Sequence, residues 1–186
     1  KNHPLYPIQR PRVFCSSLAD WLDDEVPIEW LAGLLKLIHD TPNLDWLLLT
    51  KRPENWRQRI ALCITECRES CEGRCQWLQD LINGSFPAHV WLGVSVENQK
   101  YADIRIPQVL EIPAKIRFLS CEPLLDRVVI DQSLPGSWTS DFTTKHGFAG
   151  IHWVICGGES GGGARPFDVD WARSLRNQCA GASAFF

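Results

Sequence analysis

The stretch Trp46-Leu47-Leu48-Leu49-Thr50-Lys51-Arg52-Pro53 decides the expected fold, because a continuous apolar run is followed at once by charge and proline. An apolar run without alternating polar positions is typical of a strand buried on both faces of a parallel sheet. Pro53 then favours the end of that strand. Lys51 and Arg52 therefore stand directly after the carboxyl end of a buried strand.

The same pattern, a short apolar run followed by an amphipathic stretch, recurs along the chain. Strands are predicted at 12–15, 46–50, 90–94, 116–120 and 151–155, and residues 184–186 fit the beginning of another. Helices are predicted at 28–39 after Pro27, at 54–62, 76–82, 102–110 and 170–179, with a helical opening at 20–22. Alternating β and α units imply a parallel sheet. An open doubly wound sheet and a curled barrel both satisfy this order.

The bulk properties describe one ordinary globular domain. The 186 residues are 45% hydrophobic and 22% charged, and the net charge of -3 gives no global electrostatic reason to expect nucleic-acid binding. No apolar run reaches the roughly 18 residues of a membrane span, and no signal peptide is evident, so we expect a cytoplasmic protein. The chain lacks methionine. We expect a fragment cut at both ends, forming a single incomplete domain with insertions at about 63–75 and 131–150.

Polar residues follow four of the predicted strands. The four segments are Thr50-Lys51-Arg52-Pro53, Ser95-Val96-Glu97-Asn98-Gln99, Cys121-Glu122-Pro123 and Gly157-Gly158-Glu159-Ser160-Gly161. In parallel α/β folds the loops after the strands gather on one face, where active sites are placed. We therefore predict that these loops converge on a cofactor- or substrate-binding site.

Each of these residue types suits a binding role. Lys51 and Arg52 could hold a carboxylate or phosphate, and glycines such as Gly157 and Gly158 let a ligand approach the main chain. The three glutamates could hold an amine, ribose hydroxyls or a metal, and buried together they would raise one another's pKa values. Arg165 follows the glycine loop and could neutralise one of them. No residue is assigned a catalytic role.

Four of the eight cysteines form a Cys-x3-Cys-x3-Cys-x3-Cys array at Cys63, Cys67, Cys71 and Cys75. Structural zinc sites usually use Cys-x2-Cys pairs, so this spacing leaves two interpretations open, a zinc site and an incidental thiol-rich insertion. The array also lacks the Cys-x3-Cys-x2-Cys spacing of a radical-SAM cluster. His39, His89 and His152 fit packing or surface positions better than metal ligation.

Five stretches resemble the phage gene product 37/68 proteins, a family found in phages and bacterial genomes. They are SLADWLDDEVP (17–27), LLLTKRPENW (47–56), VWLGVSVENQKYADIRIP (90–107), IRFLSCEPLL (116–125) and WVICGGESGGGARPFDVDWARSLRNQC (153–179). This family looks like a distant branch of the radical-SAM proteins, whose usual core is a partial (β/α)6 barrel. The resemblance thus implies a partial TIM-like barrel of parallel strands with alternating helices.

The resemblance also implies cofactors. Radical-SAM enzymes bind a [4Fe–4S] cluster through three cysteines in the loop after the first strand, and they use S-adenosylmethionine. The family's cluster segment is not among the residues of this sequence, so no cluster ligand is assigned. In that class a glycine-rich, Glu-containing loop often contacts the methionine moiety, which suggests this role for residues 157–161.

Three functional hypotheses stay open at this point. The first is a phage-type radical-SAM-like enzyme of unknown substrate, with the strand-end loops as its cofactor and substrate face. The second is a carboxylate- or metal-dependent hydrolase or transferase, and the third is a non-catalytic binding module in a phage or defence context. The phage association favours nucleic acid or a neighbouring phage-encoded protein as the partner, and no membrane partner is expected.

Overall fold

Five parallel strands form a half-barrel in the computed structural model, which describes residues 10–15, 19–67, 72–133, 148 and 150–186. The strands are hydrogen-bonded in chain order: β1 (Arg12–Cys15), β2 (Asp45–Thr50), β3 (Val90–Ser95), β4 (Ile116–Cys121) and β5 (Trp153–Cys156). All four neighbouring pairs are parallel. The predicted α/β fold, a partial TIM-like barrel, is thereby confirmed.

Helices lie between most successive strands, as a parallel sheet requires. They are α1 (Ile28–Asp40), α2 (Trp56–Cys67), α3 (Glu72–Ile82), α4 (Gln99–Glu111) and α5 (Val169–Ala182). Short 3₁₀ turns at Pro53–Asn55 and Ile130–Ser133 complete the order. Pro27 occupies the N-cap of α1, where its fixed φ suits a helix start. Within the described ranges, no helix combines the length and the apolar character needed to cross a membrane.

The main core lies between the sheet and the helices. Side chains alternate between the two faces of each strand, and the helix-facing set includes Leu48, Leu92 and Leu119, which are at most 1% exposed. Helix α1 contributes Leu31 and Ile38 to the same cluster. Removal of this apolar surface from water is the main driving force that holds the helical layer on the sheet.

The opposite, concave face carries a second, aromatic layer. Phe118 is fully buried there, although it lies outside the main cluster, and it pairs in register with Gly93 on the neighbouring strand. A Cβ atom built on Gly93 would lie 2.3 Å from the Phe118 ring, so only glycine leaves room for it. Phe14 and Trp153 flank the ring with centroid distances of 6.0 Å. The layer thus ties β1, β3, β4 and β5 together across the barrel.

Two boundary predictions have different outcomes. The strand-like end of the chain is confirmed, since Phe185 forms a parallel bridge with Trp153 and extends the sheet beyond β5. The helical opening at 20–22 is wrong, because these residues form a turn and α1 begins at Ile28. The Asp20 carboxylate accepts the Leu22 N–H at 3.1 Å, and this local bond favours a turn over a helix.

The predicted insertions are described only in part. Residues 63–67 belong to α2 and residues 72–75 to α3, so this stretch is mainly helical where it is described. In the second stretch, Ile130–Ser133 is a 3₁₀ turn and Phe148 forms a bridge with Ile151. Residues 134–147 and 149 lie outside the described residues.

The packing of Phe118 on Gly93 predicts that two glycine-to-alanine changes differ strongly in their effect on the free energy of unfolding. Gly93→Ala should lower the free energy of unfolding by about 2–3 kcal/mol, because overpacking a filled core displaces a fully buried ring. Gly181→Ala is the matched control, since a Cβ at Gly181 in α5 meets nothing within 4 Å. Urea denaturation followed by tryptophan fluorescence measures both, and equal stability of the two variants would contradict the packing argument.

Candidate functional site

The loops after β3 and β4 are joined by main-chain hydrogen bonds. The Val96 N–H donates to the Ser120 carbonyl at 2.8 Å, and the Leu125 N–H donates to the Glu97 carbonyl at 2.7 Å. Because both bonds lie at or beyond the strand ends, the pairing of β3 with β4 continues into the loops. We call the edge formed by the loops after β2, β3, β4 and β5 the carboxyl edge.

The loops after β4 and β5 are joined in the same way. The Leu124 N–H donates to the Gly157 carbonyl at 2.8 Å, and the Gly157 N–H donates to the Cys121 carbonyl at 3.2 Å. The Glu122–Pro123 peptide bond between these contacts is cis. Three of the four predicted polar loops therefore lie side by side, as the strand order requires.

The fourth loop, after β2, reaches the others through a chain of charges. The Glu97 carboxylate is 3.1 Å from the Lys51 ammonium at one oxygen and 2.9 Å from the Arg105 guanidinium at the other. Arg105 also donates to the Ser95 carbonyl at 2.9 Å, and its guanidinium lies 4.1 Å from the centre of the Tyr101 ring. Glu97 and Arg105 are both buried. The two cations and the buried carboxylate compensate one another for the water that each has lost.

Asp20 anchors the loop after β2 and was missed by sequence reasoning. Its carboxylate accepts the Thr50 hydroxyl at 2.7 Å and the Lys51 N–H at 2.6 Å. These bonds fix the main chain at the position from which the Lys51 side chain reaches Glu97. Asp20 follows β1 as a polar loop residue, which is the same pattern that selected the other loops, and this position could have been found on that ground.

Two predicted site residues have structural roles. Arg52 forms an ion pair with Asp23 at 2.7 Å, which holds the loops after β1 and β2 together. Asn98 is the N-cap of α4, and its side-chain oxygen accepts the Tyr101 N–H at 3.2 Å. An N-cap side chain satisfies a main-chain donor that the helix leaves unpaired. Both residues therefore shape the carboxyl edge, with their polar groups already engaged.

Glu122 differs from the other predicted glutamates because its carboxylate has no ion pair or hydrogen bond to any residue in the described part of the chain. The side chain is exposed and packs close to Gly157, where an added Cβ would lie 3.0 Å from a carboxylate oxygen. A larger residue at position 157 would therefore press on Glu122. Of the three predicted site glutamates in the described part of the chain, Glu122 is therefore the one whose charge is available to a ligand.

Glu159 is neutralised by Arg165 within the glycine loop. The Arg165 side chain donates to both carboxylate oxygens at 2.6 and 2.8 Å, and its main-chain N–H donates to one of them at 2.8 Å. The side-chain bonds from Arg165 lower the pKa of Glu159 from 4.5 to about 2. The expectation that the glutamates raise one another's pKa values is therefore wrong for Glu159, because a cation is its nearest charge.

The rest of the glycine loop is open to solvent. Ser160 is exposed, and Gly161 and Gly163 have φ values of 99° and 87°, which favour glycine. Gly158 is closer to the fold, since an added Cβ would lie 3.1 Å from the Phe167 side chain. The loop thus has a fixed base at its first glycines and an exposed tip.

The cysteines near the carboxyl edge are protonated thiols at neutral pH. Burial raises the pKa values of Cys121 and Cys156, which face each other on β4 and β5, and it raises that of Cys179 in α5 to about 11. A thiol in this state is a poor nucleophile and a poor metal ligand. These three residues therefore act as small apolar side chains.

The cysteine array is described in part. Cys63 is buried in α2 and Cys75 is half-buried in α3, whereas Cys71 and the Cys67 side chain lie outside what the structure describes. Among the described residues, no group of three His, Cys, Asp or Glu side chains is placed to hold a metal ion. The two interpretations of the array, a zinc site and an incidental thiol-rich insertion, therefore both stay open.

The carboxyl edge therefore combines a buried charge network, the unpaired Glu122 carboxylate and a glycine loop. A family model described as "Protein of unknown function (DUF5131)" matches residues 2–186. The chain belongs to this family. No curated protein and no solved structure matches it. The geometry of the edge is consequently the main guide to function.

The buried ion pair predicts a strong effect of Arg105 on stability. Arg105→Met should lower the free energy of unfolding by about 3–5 kcal/mol, because the buried Glu97 carboxylate would lose its buried partner and keep only the half-exposed Lys51. The double variant Arg105→Met/Glu97→Gln should recover part of the loss. Arg173→Met is the control, since its pair with Asp170 is exposed and contributes at most about 1 kcal/mol. Equal losses in the two single variants would contradict the network.

The Glu159–Arg165 pair predicts a shifted titration. Because the pKa of Glu159 is lowered to about 2, the pair stabilises the loop above about pH 4.5 and is lost as the pH falls from there towards 2. Arg165→Gln should return the midpoint towards 4.5, whereas Arg173→Gln should leave it unchanged. Carbon-detected NMR of the glutamate carboxyl groups measures the midpoint, and a wild-type value near 4.5 would rule out the pairing.

Proposed function

We propose that the chain forms the cofactor- and substrate-facing wall of a cytoplasmic radical-SAM-type enzyme, and that the carboxyl edge binds the amino-acid moiety of S-adenosylmethionine. The proposal joins the family resemblance of the loops with the parallel half-barrel, in which ligands bind beyond the carboxyl ends of the strands. The observation that carries it is the unpaired Glu122 carboxylate packed against Gly157.

Charge explains why this edge suits a zwitterion. The moiety presents an ammonium and a carboxylate on one carbon atom. Glu122 would accept from the ammonium, and Lys51 would donate to the carboxylate, since its side chain is 57% exposed and one contact to Glu97 leaves donors free. Glu97 and Arg105 would hold Lys51 in position. S-adenosylmethionine supplies radical chemistry when it is bound to an enzyme of this class.

The described residues do not fit an iron–sulfur cluster. Three thiolates are needed, and no group of three metal-binding side chains occurs in the part of the chain that the structure describes. The thiols nearest the edge are Cys121 and Cys156, whose pKa values burial raises. No cluster ligand and no step through a cluster is therefore assigned to these residues.

The hydrolase alternative has weaker support from the same geometry. General acid–base chemistry by paired carboxylates needs two carboxyl groups with separated pKa values near the substrate. Of the three predicted site glutamates, Glu97 and Glu159 are each neutralised by a cation, and Glu122 is not. One free carboxylate suits ligand binding better than a two-carboxylate mechanism.

Ligand binding tests the role of Glu122. Glu122→Gln should weaken S-adenosylmethionine binding by about tenfold or more, because a charge-assisted hydrogen bond contributes roughly 1.5–3 kcal/mol. Glu111→Gln, an exposed change at the end of α4, is the control and should leave the affinity unchanged. Isothermal titration calorimetry of the anaerobically purified complete protein measures both, and unchanged affinity in Glu122→Gln would reject the assigned site.

The reaction class has its own test. The complete protein, expressed and purified without oxygen, should contain iron and sulfide and should cleave S-adenosylmethionine after reduction. A complete protein without iron and without cleavage would overturn the radical-SAM proposal, whatever its affinity for the ligand. If binding depends on Glu122 but no cleavage occurs, the proposed binding site is supported and the proposed radical reaction is rejected.

A further inference from the structure

Two buried hydroxyl groups without a partner lie side by side on β3 and β4. Ser95 and Ser120 are only 2% and 4% exposed, and they are partners in the register of the two strands. Neither hydroxyl makes a hydrogen bond to the part of the chain that the structure describes. Buried hydroxyl groups are nearly always hydrogen-bonded, because an unpaired one loses its contacts with water without replacement. These two residues, which we call the serine pair, therefore need a ligand or a bound water molecule.

The serine pair points into the concave face of the half-barrel. Both valines next to Ser95 belong to the main core, and so do Leu119 and Cys121 on either side of Ser120. Because successive side chains of a strand point to opposite faces, the two hydroxyls point away from the helices. Ile155, the register partner of Ser120 on β5, is half-buried, so the concave face is open beside the pair.

Along the strands, the serine pair lies between the aromatic layer and the carboxyl edge. Gly93 and Phe118 precede the two serines by two residues, which is roughly 6.6 Å along a strand. Glu97 and Glu122 follow them by two residues. A ligand that contacts the pair is therefore bound inside the half-barrel, directly below the charged edge.

The charges beside the serine pair favour an anion. Glu97 is shared by Lys51 and Arg105, so two positive charges face one negative charge in this network. Arg105 also donates to the main-chain carbonyl of Ser95 at 2.9 Å, which places the excess positive charge next to the pair. Glu122 is exposed, so water screens its charge more strongly than it screens the buried network.

We propose that the serine pair binds the oxyanion, a carboxylate or a phosphate, of an organic ligand inside the half-barrel. Neighbouring strands lie about 4.8 Å apart, so both hydroxyls can donate to the same oxygen atom of that group. The apolar body of the ligand then lies against Ile155 and Trp153, which are half-buried on β5. The inference rests on the serine pair and holds whichever molecule occupies the carboxyl edge.

Removal of the hydroxyls separates a ligand site from a structural role. The double variant Ser95→Ala/Ser120→Ala should unfold at the same urea concentration as the wild type or at a higher one, because two buried polar groups without partners are lost. Ser85→Ala, an exposed change before β3, is the control and should leave the midpoint unchanged. A clearly lower midpoint in the double variant alone would mean that the fold itself uses the hydroxyls through bound water, and would overturn the proposal.

Ligand titration tests the oxyanion. Benzoate and phenyl phosphate carry the two candidate groups on the same ring, and benzyl alcohol is their neutral counterpart. In NMR titrations of the complete protein, at least one anion should bind more tightly than benzyl alcohol. The double variant should bind that anion about tenfold more weakly or worse, as expected when charge-assisted hydrogen bonds are lost.

The outcomes of this titration are distinct. Tighter binding of benzoate indicates a carboxylate ligand, and tighter binding of phenyl phosphate indicates a phosphate ester. A wild-type protein that does not prefer either anion over benzyl alcohol would contradict the proposal, and so would equal anion affinity in the double variant. S-adenosylmethionine is not added, so the result does not depend on the role assigned to Glu122.

Discussion

The buried carboxylate of Glu97 is the interaction on which the carboxyl edge depends. A carboxylate out of water is costly by several kcal/mol unless cations and hydrogen bonds compensate it. Here the compensation comes from Lys51 after β2 and from Arg105 in α4. The two ion pairs of Glu97 therefore fix the loop after β2 and helix α4 relative to β3. Asp20 also holds the loop after β2, through its bonds to the Thr50 hydroxyl and the Lys51 main chain.

This requirement also separates the roles of three glutamates that look equivalent in the sequence. Glu97 is buried and shared by two cations, and Glu159 is paired with Arg165 on the surface of its loop. Glu122 has only an exposed position beside Gly157. Charge that is used within the fold is not available to a ligand. Of these three carboxylates, Glu122 is therefore the one that can contact a ligand with its full charge.

The strands were predictable because each is a compact apolar run with turn residues after it, and the parallel order followed from the intervening helices. The partners of the polar residues were not predictable. In α4, Ile104 is 46% exposed whereas Arg105 is buried, the reverse of what hydropathy suggests. Arg105 is buried because Glu97 needs its charge, and that need arises only when the strands are assembled. The local sequence at 20–22 suggested a helix, and the true role of Asp20 was hidden because its bonds to Thr50 and Lys51 span about thirty residues of sequence.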